Sequence, residues 1–132
     1  MSDKSDFKPL FRTSPFLDAI GEFYYKGWGA DLVLGTYVPE KAANHRGIAH
    51  AGFLCTLADV ALGYAAATSK EPPLNLVTMN LSLDFAGKAE VGDWLETSVE
   101  LQKVGNRTAF ANVYIYRGDD RIVRASSVFM KQ

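Results

Sequence analysis

The chain has 132 residues, 48% apolar and 22% charged, with a formal net charge of −1. That length and mix describe one globular domain, residues 1–132, with a core of its own, and argue against a disordered, collagenous or fibrous chain. The near-neutral charge gives no broad field for nucleic acid or an anionic membrane, so neither is expected as a partner, and the single cysteine, Cys55, allows neither an intramolecular disulfide nor a Cys-rich metal module.

Residues 1–13 read as a loose leader. Met1 to Leu10 is mostly polar, with no basic segment followed by an apolar one, and a cytoplasmic location is the default expectation. Ser14-Pro15 pairs a capping residue with proline at a first helical position, so a short helix is predicted through Phe16, Leu17 and Ile20, ending at Gly21. Tyr24 to Val38 is strand-like, broken by glycines, and is either one bent strand or two. Ala42 to Ile48 is a loop. His50 to Ser69 is the clearest helix. Ala51, Leu54, Leu57, Ala58, Ala61, Leu62 and Ala65 recur at helical spacing, and almost every other face is apolar or small as well. A helix apolar all round belongs inside something, and one carrying His50 and Asp59 suits a core better than a bilayer. Glu71-Pro72-Pro73 stops it.

The remaining residues read as strands. Leu76, Thr78, Asn80, Ser82 and Asp84 alternate with Val77, Met79, Leu81, Leu83 and Phe85 in a strict period of two. Trp94–Val104, Thr108–Arg117 and 122–130 follow, with hairpin-type turns at Gly105-Asn106 and Gly118-Asp119-Asp120. Successive hairpins imply an antiparallel sheet, and the long helix must cover one face of it. One small sheet cannot satisfy a helix apolar on all sides, so part of its surface is expected to meet a second subunit.

Asp59 is the odd residue in that helix. A carboxylate among Leu57, Ala58, Val60 and Ala61 is costly unless hydrogen-bonded, paired or partly wet. Such a group can serve as general base or nucleophile, or it can simply bond a neighbouring strand or point to solvent. Gly47-Ile48-Ala49-His50-Ala51-Gly52 enters the helix. The N–H of Ala51 or Gly52 could polarise a carbonyl there, or the segment could be a plain glycine-containing loop. His50 and Asp59 are nine residues apart and point in opposite directions on a continuous helix, so they form no dyad, and His50 is read as orienting the loop by a hydrogen bond. His45, His50 and Asp59 lack ligand spacing for a metal. Cys55 is read as a small core residue.

Asn44-x-x-Gly47-x-x-His50-Ala51-Gly52 followed by Leu57-Ala58-Asp59 resembles the signature of hotdog-fold acyl-CoA thioesterases, in the phenylacetate-pathway (PaaI-type) branch of the 4-hydroxybenzoyl-CoA thioesterase superfamily. The strand from Thr78-x-Asn80-Leu81 to Phe85 and the Gly105-Asn106-Arg107 turn fit the same pattern, and the resemblance covers roughly residues 30 to 130. It implies an α+β hotdog fold, a long central helix wrapped by an antiparallel sheet of five or six strands, in a homodimer or a dimer-of-dimers tetramer with sites at the dimer interface. It implies hydrolysis of an acyl-CoA to a free acid and coenzyme A, with coenzyme A as part of the substrate and no separate cofactor or metal. In that reading Asp59 is the base or nucleophile, and Asn44 of the other subunit holds water or thioester. The N–H of Ala51, after His50, receives the oxyanion, and Thr78 contributes a hydroxyl. The family's usual His-Gly-Gly is here His50-Ala51-Gly52. Lys88, Asn106 and Arg107, with Lys103, sit at or near turns where they could meet the phosphates of coenzyme A. Trp28, Phe53, Tyr64 and Phe85 are candidates to line an acyl pocket or belong to the core. The alternatives are a hydratase or dehydratase acting on acyl thioesters through His50, and a non-catalytic protein binding an acyl or aromatic ligand.

Overall fold

Helix α2, Ala51–Thr68, is the element around which the others are arranged in the computed structural model, which describes residues 4–132. Leu57, Ala58, Leu62, Ala65 and Ala66 are fully buried along it. The strands are β1 (Lys8–Pro9), β2 (Phe23–Lys26), β3 (Val33–Tyr37), β4 (Leu76–Phe85), β5 (Trp94–Val104), β6 (Thr108–Arg117) and β7 (Asp120–Lys131). They form one antiparallel sheet in the order β1-β2-β3-β5-β6-β7-β4. α2 leaves the β3 side, crosses the concave face and delivers the chain to β4 at the far edge. Leu34, Leu95, Val113, Ile115 and Val123 meet it from the sheet.

The sheet has seven strands rather than five or six. Tyr24–Val38 is two strands, because the chain turns between them through a 3-10 turn at Gly29–Asp31. Gly27 has φ +75°, and a Cβ there would lie 2.2 Å from the Asp31 carbonyl oxygen, so only glycine fits this turn. The extra edge strand comes from the predicted leader. Residues 1–3 of that leader lie outside the described residues, but Phe7 and Leu10 are buried and Lys8–Pro9 pairs with Tyr24–Tyr25. Two apolar side chains in a polar segment were enough to tie it down. Short helix α1 (Pro15–Ile20) starts as predicted, with the Ser14 hydroxyl accepting the Leu17 N–H at 3.2 Å.

One irregularity in β4 decides which of its side chains face the helix. Thr78 pairs with Phe129 and Asn80 with Val128, which leaves Met79 as an extra residue in the strand. This β-bulge breaks the strict alternation read from the sequence. Leu81, Leu83 and Phe85 lie opposite Ser127, Ala125 and Val123 on the helix-facing side. The bulge reverses parity, so Thr78 joins that side instead of Asn80, Ser82 and Asp84 on the outer face.

Leu57→Ala removes a fully buried side chain from the centre of α2 and is expected to cost about 2–5 kcal/mol. Urea denaturation of the two proteins measures it.

Candidate functional site

Thr78 and Asp59 meet. The Thr78 Oγ1 hydroxyl donates to Asp59 Oδ1 at 2.8 Å, from the β4 edge to the middle of α2. Asp59 is half-buried and Thr78 exposed, so one carboxylate oxygen is held by the strand while the group keeps contact with the outside. Two of the alternatives for Asp59 apply together: the carboxylate bonds a neighbouring strand and stays accessible. The surrounding helix face is small. Gly52, Cys55, Thr56 and Gly63 lie within two turns of Asp59, and the Thr56 hydroxyl is turned back onto the Gly52 carbonyl at 2.9 Å. Burial pushes the Cys55 thiol above its ordinary value.

A second group of candidates gathers at the N-terminus of α2. Asn44 builds the loop before it. Its Oδ1 accepts the N–H groups of Arg46 at 2.9 Å and Ile48 at 3.4 Å, its own N–H donates to the Ile48 carbonyl, and Gly47 turns the chain with φ +79°. With Oδ1 committed inward, the Asn44 Nδ2 donates to no group among the described residues. His50 is the N-cap of α2: its Nδ1 accepts the Gly52 N–H at 2.7 Å. This bond assigns the ring proton to Nε2 and uses up the Gly52 donor. The Ala51 N–H, at the first helical position and exposed, donates to no group among the described residues. Of the two backbone donors weighed for a carbonyl oxygen, Ala51 is the one left open.

These two groups do not come together within one chain. Nine residues of helix separate His50 from Asp59, about 14 Å of rise. The turn residues are also divided. Lys88 lies just past the end of β4 near the α2 N-terminus, where its carbonyl accepts from Arg117 Nη1. Asn106 and Arg107 lie at the opposite end of the sheet, in the β5–β6 hairpin. There a cavity of about 490 Å³ is lined by Lys70, Asn75, Val104, Asn106 and Lys131 among others. Lys70 and Lys131 were not singled out in the sequence, because each is a lone lysine whose neighbours are fixed only by the sheet.

The four aromatic candidates separate as well. Phe53 is buried and stacks on Phe23 at 5.9 Å, a core position. Phe85 is exposed at the end of β4. Trp28 and Tyr64 are brought together by a residue the sequence did not flag. The Phe11 ring lies 5.0 Å from Trp28, 5.1 Å from Tyr64 and 5.0 Å from Tyr25. The Tyr64 hydroxyl donates to the Arg12 carbonyl at 3.2 Å, and burial raises its pKa, with Arg12 opposing.

Because partial burial raises the Cys55 thiol's pKa, Cys55 is expected to react more slowly with iodoacetamide than an exposed thiol. Its alkylation should speed up only as pH rises beyond the ordinary thiol range, as a pH series followed by mass spectrometry will report.

Known proteins share both the sequence and this architecture. The family model of the thioesterase superfamily matches residues 46–124, which span the α2 entry, Asp59 and most of the sheet. A Pseudomonas aeruginosa protein named "Putative esterase PA0474" is 48% identical over 130 residues, covering 98% of this chain and 97% of its own length. Among solved structures, the PaaI protein of the E. coli phenylacetic acid degradation operon superposes with a TM-score of 0.81 at 20% identity, covering 91% of this chain and 86% of that one. The smu.793 protein of Streptococcus mutans UA159, bound to acetyl CoA, gives 0.82 at 20% identity, covering 93% and 95%. The fold, one long helix held by an antiparallel sheet, is the hotdog fold, and the chain belongs to the thioesterase superfamily.

Proposed function

We propose that the protein hydrolyses acyl-CoA thioesters, with Asp59 activating the water. The observation that carries this reading is the Thr78–Asp59 hydrogen bond. It fixes a half-buried carboxylate on an otherwise apolar helix, with its second oxygen available to a water. The acetyl CoA bound by the smu.793 neighbour supports the class of thioester. Asp59 takes a proton from water as the oxygen attacks the thioester carbon. The resulting oxyanion is received by the Ala51 N–H, at the positive end of the helix dipole. The intermediate collapses with cleavage of the carbon–sulfur bond, and the sulfur leaves as coenzyme A thiolate and takes up a proton.

Asp59 and Ala51 are too far apart in one chain to serve one carbonyl, so the site is composite. Asp59 and Thr78 come from one protomer, and Asn44, His50 and Ala51 come from its partner in a homodimer. His50 positions, through its cap, the segment that carries the donor. Ala51 in place of glycine leaves the backbone donor intact, since the group used is its N–H. The phosphates of coenzyme A are assigned to Asn106 and Arg107 with Lys70 and Lys131 beside them, and Lys88 can join only from the second protomer.

Asp59→Asn keeps the shape of the side chain and removes the base, so kcat should fall by about a hundredfold to ten-thousandfold in a thiol-release assay. Near-normal turnover would remove Asp59 from the reaction. Asn44→Ala should lower kcat/KM by about tenfold, the size of one lost hydrogen bond to the reacting centre. Light scattering should report a dimer or tetramer for wild type and both variants; a monomer that hydrolyses thioesters at full rate would refute the composite site.

A further inference from the structure

We propose that Ser127, which lies outside the site described above, is a positioning residue for the reaction: its hydroxyl holds β4 in the bulged register that keeps Thr78 on Asp59. This role rests on the thioesterase reading and carries it one step back, to what holds Thr78 in place.

β7 turns Val123, Ala125, Ser127 and Phe129 toward the helix, and all four are buried. Ser127, 3% exposed, is the polar member of that row. Its neighbours across the sheet are apolar too, Leu81 on β4 and Ala111 on β6. A hydroxyl in such a layer needs a partner. Ser127 Oγ donates to the Asn80 carbonyl at 2.7 Å. Asn80 directly follows the bulged Met79, at the step where β4 changes register against β7. In a flat ladder a strand carbonyl lies in the sheet and points at the facing strand, while side chains stand perpendicular to it. A hydroxyl on the helix-facing side meets such a carbonyl where the strand is bent, and the bulge supplies the bend. The bulged register also has a competitor. A regular ladder that keeps Leu81 opposite Ser127 and Asn80 opposite Val128 places Met79 opposite Phe129 and Thr78 opposite Met130. Met79, 55% exposed in the bulge, then turns to the helix, and Thr78 turns to the outer face. Burial of an apolar side chain favours that alternative. Two hydroxyl bonds oppose it, one on each side of Met79: Thr78 to Asp59 at 2.8 Å and Ser127 to Asn80 at 2.7 Å. Loss of the Ser127 hydroxyl removes one of the two and lets Thr78 leave the carboxylate.

The test measures thiol release from acetyl-CoA and octanoyl-CoA by the intact protein and its variants. Ser127→Ala should lower kcat by about tenfold and leave KM within about twofold, the size of one lost hydrogen bond to a charged group. Thr78→Val should do the same. The double variant should fall no further than Thr78→Val alone, because Ser127 acts only through Thr78. Ser127→Thr and Ser127→Val add the same bulk and differ in the hydroxyl, so the first should retain turnover and the second lose it even where both cost stability. The second readout needs no substrate. The chain has three methionines. With 13C-methyl methionine, the Met79 resonance, assigned through Met79→Leu, should move or split in Ser127→Ala, as the side chain passes from solvent to a place opposite Phe129. It should stay in place in Ser127→Thr. Unchanged kcat in Ser127→Ala, losses that multiply in the double variant, or an unmoved Met79 resonance would each overturn the role and leave Ser127 a core residue. A moved Met79 resonance in a protein that hydrolyses neither thioester would sink the reaction and leave the hold of Ser127 on the bulge standing.

Discussion

The fold follows from one constraint: α2 has no polar face. Fully buried Leu57, Ala58, Leu62, Ala65 and Ala66 cover about half its circumference, and the rest carries Gly63, Ala67 and the half-buried Thr56, Asp59, Val60 and Tyr64. Such a helix cannot lie on a sheet with its back to water. The sheet must curl around it, and the strand after the helix must go to the far edge to extend the wrap, which is why β4 pairs with β7 and not with β3. Seven strands still leave one stripe half-covered. Thr56, Asp59 and Tyr64 lie on or beside that stripe. A fold forced by burial thus produces the accessible groove as its remainder.

At the start of α2 the polar groups are placed by backbone economy. His50 satisfies an N–H that the helix start would otherwise leave bare, and in doing so it withdraws the Gly52 donor and singles out Ala51. Asn44 satisfies the loop through its oxygen and leaves its amide nitrogen without a partner among the described residues. Each polar side chain thus has a structural contact on one side and an unused group on the other.

Much of this architecture is legible in the sequence. The helical periodicity of residues 50–69, the hairpin turns at Gly105-Asn106 and Gly118-Asp119-Asp120, and the isolated carboxylate in an apolar helix are local signals, each written within a few residues. The Ser14-Pro15 helix start is equally local. What fails to show is non-local. Phe7 and Leu10 sit in a polar segment and reveal their burial only when β2 is beside them. The grouping of Phe11 with Trp28 and Tyr64 joins three distant stretches of chain. The division of Lys88 from Asn106 and Arg107 depends on strand order, which turn chemistry does not specify. Thr78 is legible as a candidate through resemblance, while its alternation with polar residues places it on the wrong face.

The discrepancy at Thr78 traces to Met79. Its side chain is more than half exposed and belongs to the outer surface, so its chemistry is unconstrained. Its existence as a counted residue is not. The bulge is what rotates Thr78 toward the helix while Leu81 and Leu83 keep their places in the core. The hydrogen bond to Asp59 is therefore encoded in the length of β4 rather than in the identity of the bulged side chain. A screen of substitutions would find position 79 indifferent. Only a change in the number of residues between Thr78 and Asn80 would expose what that position contributes.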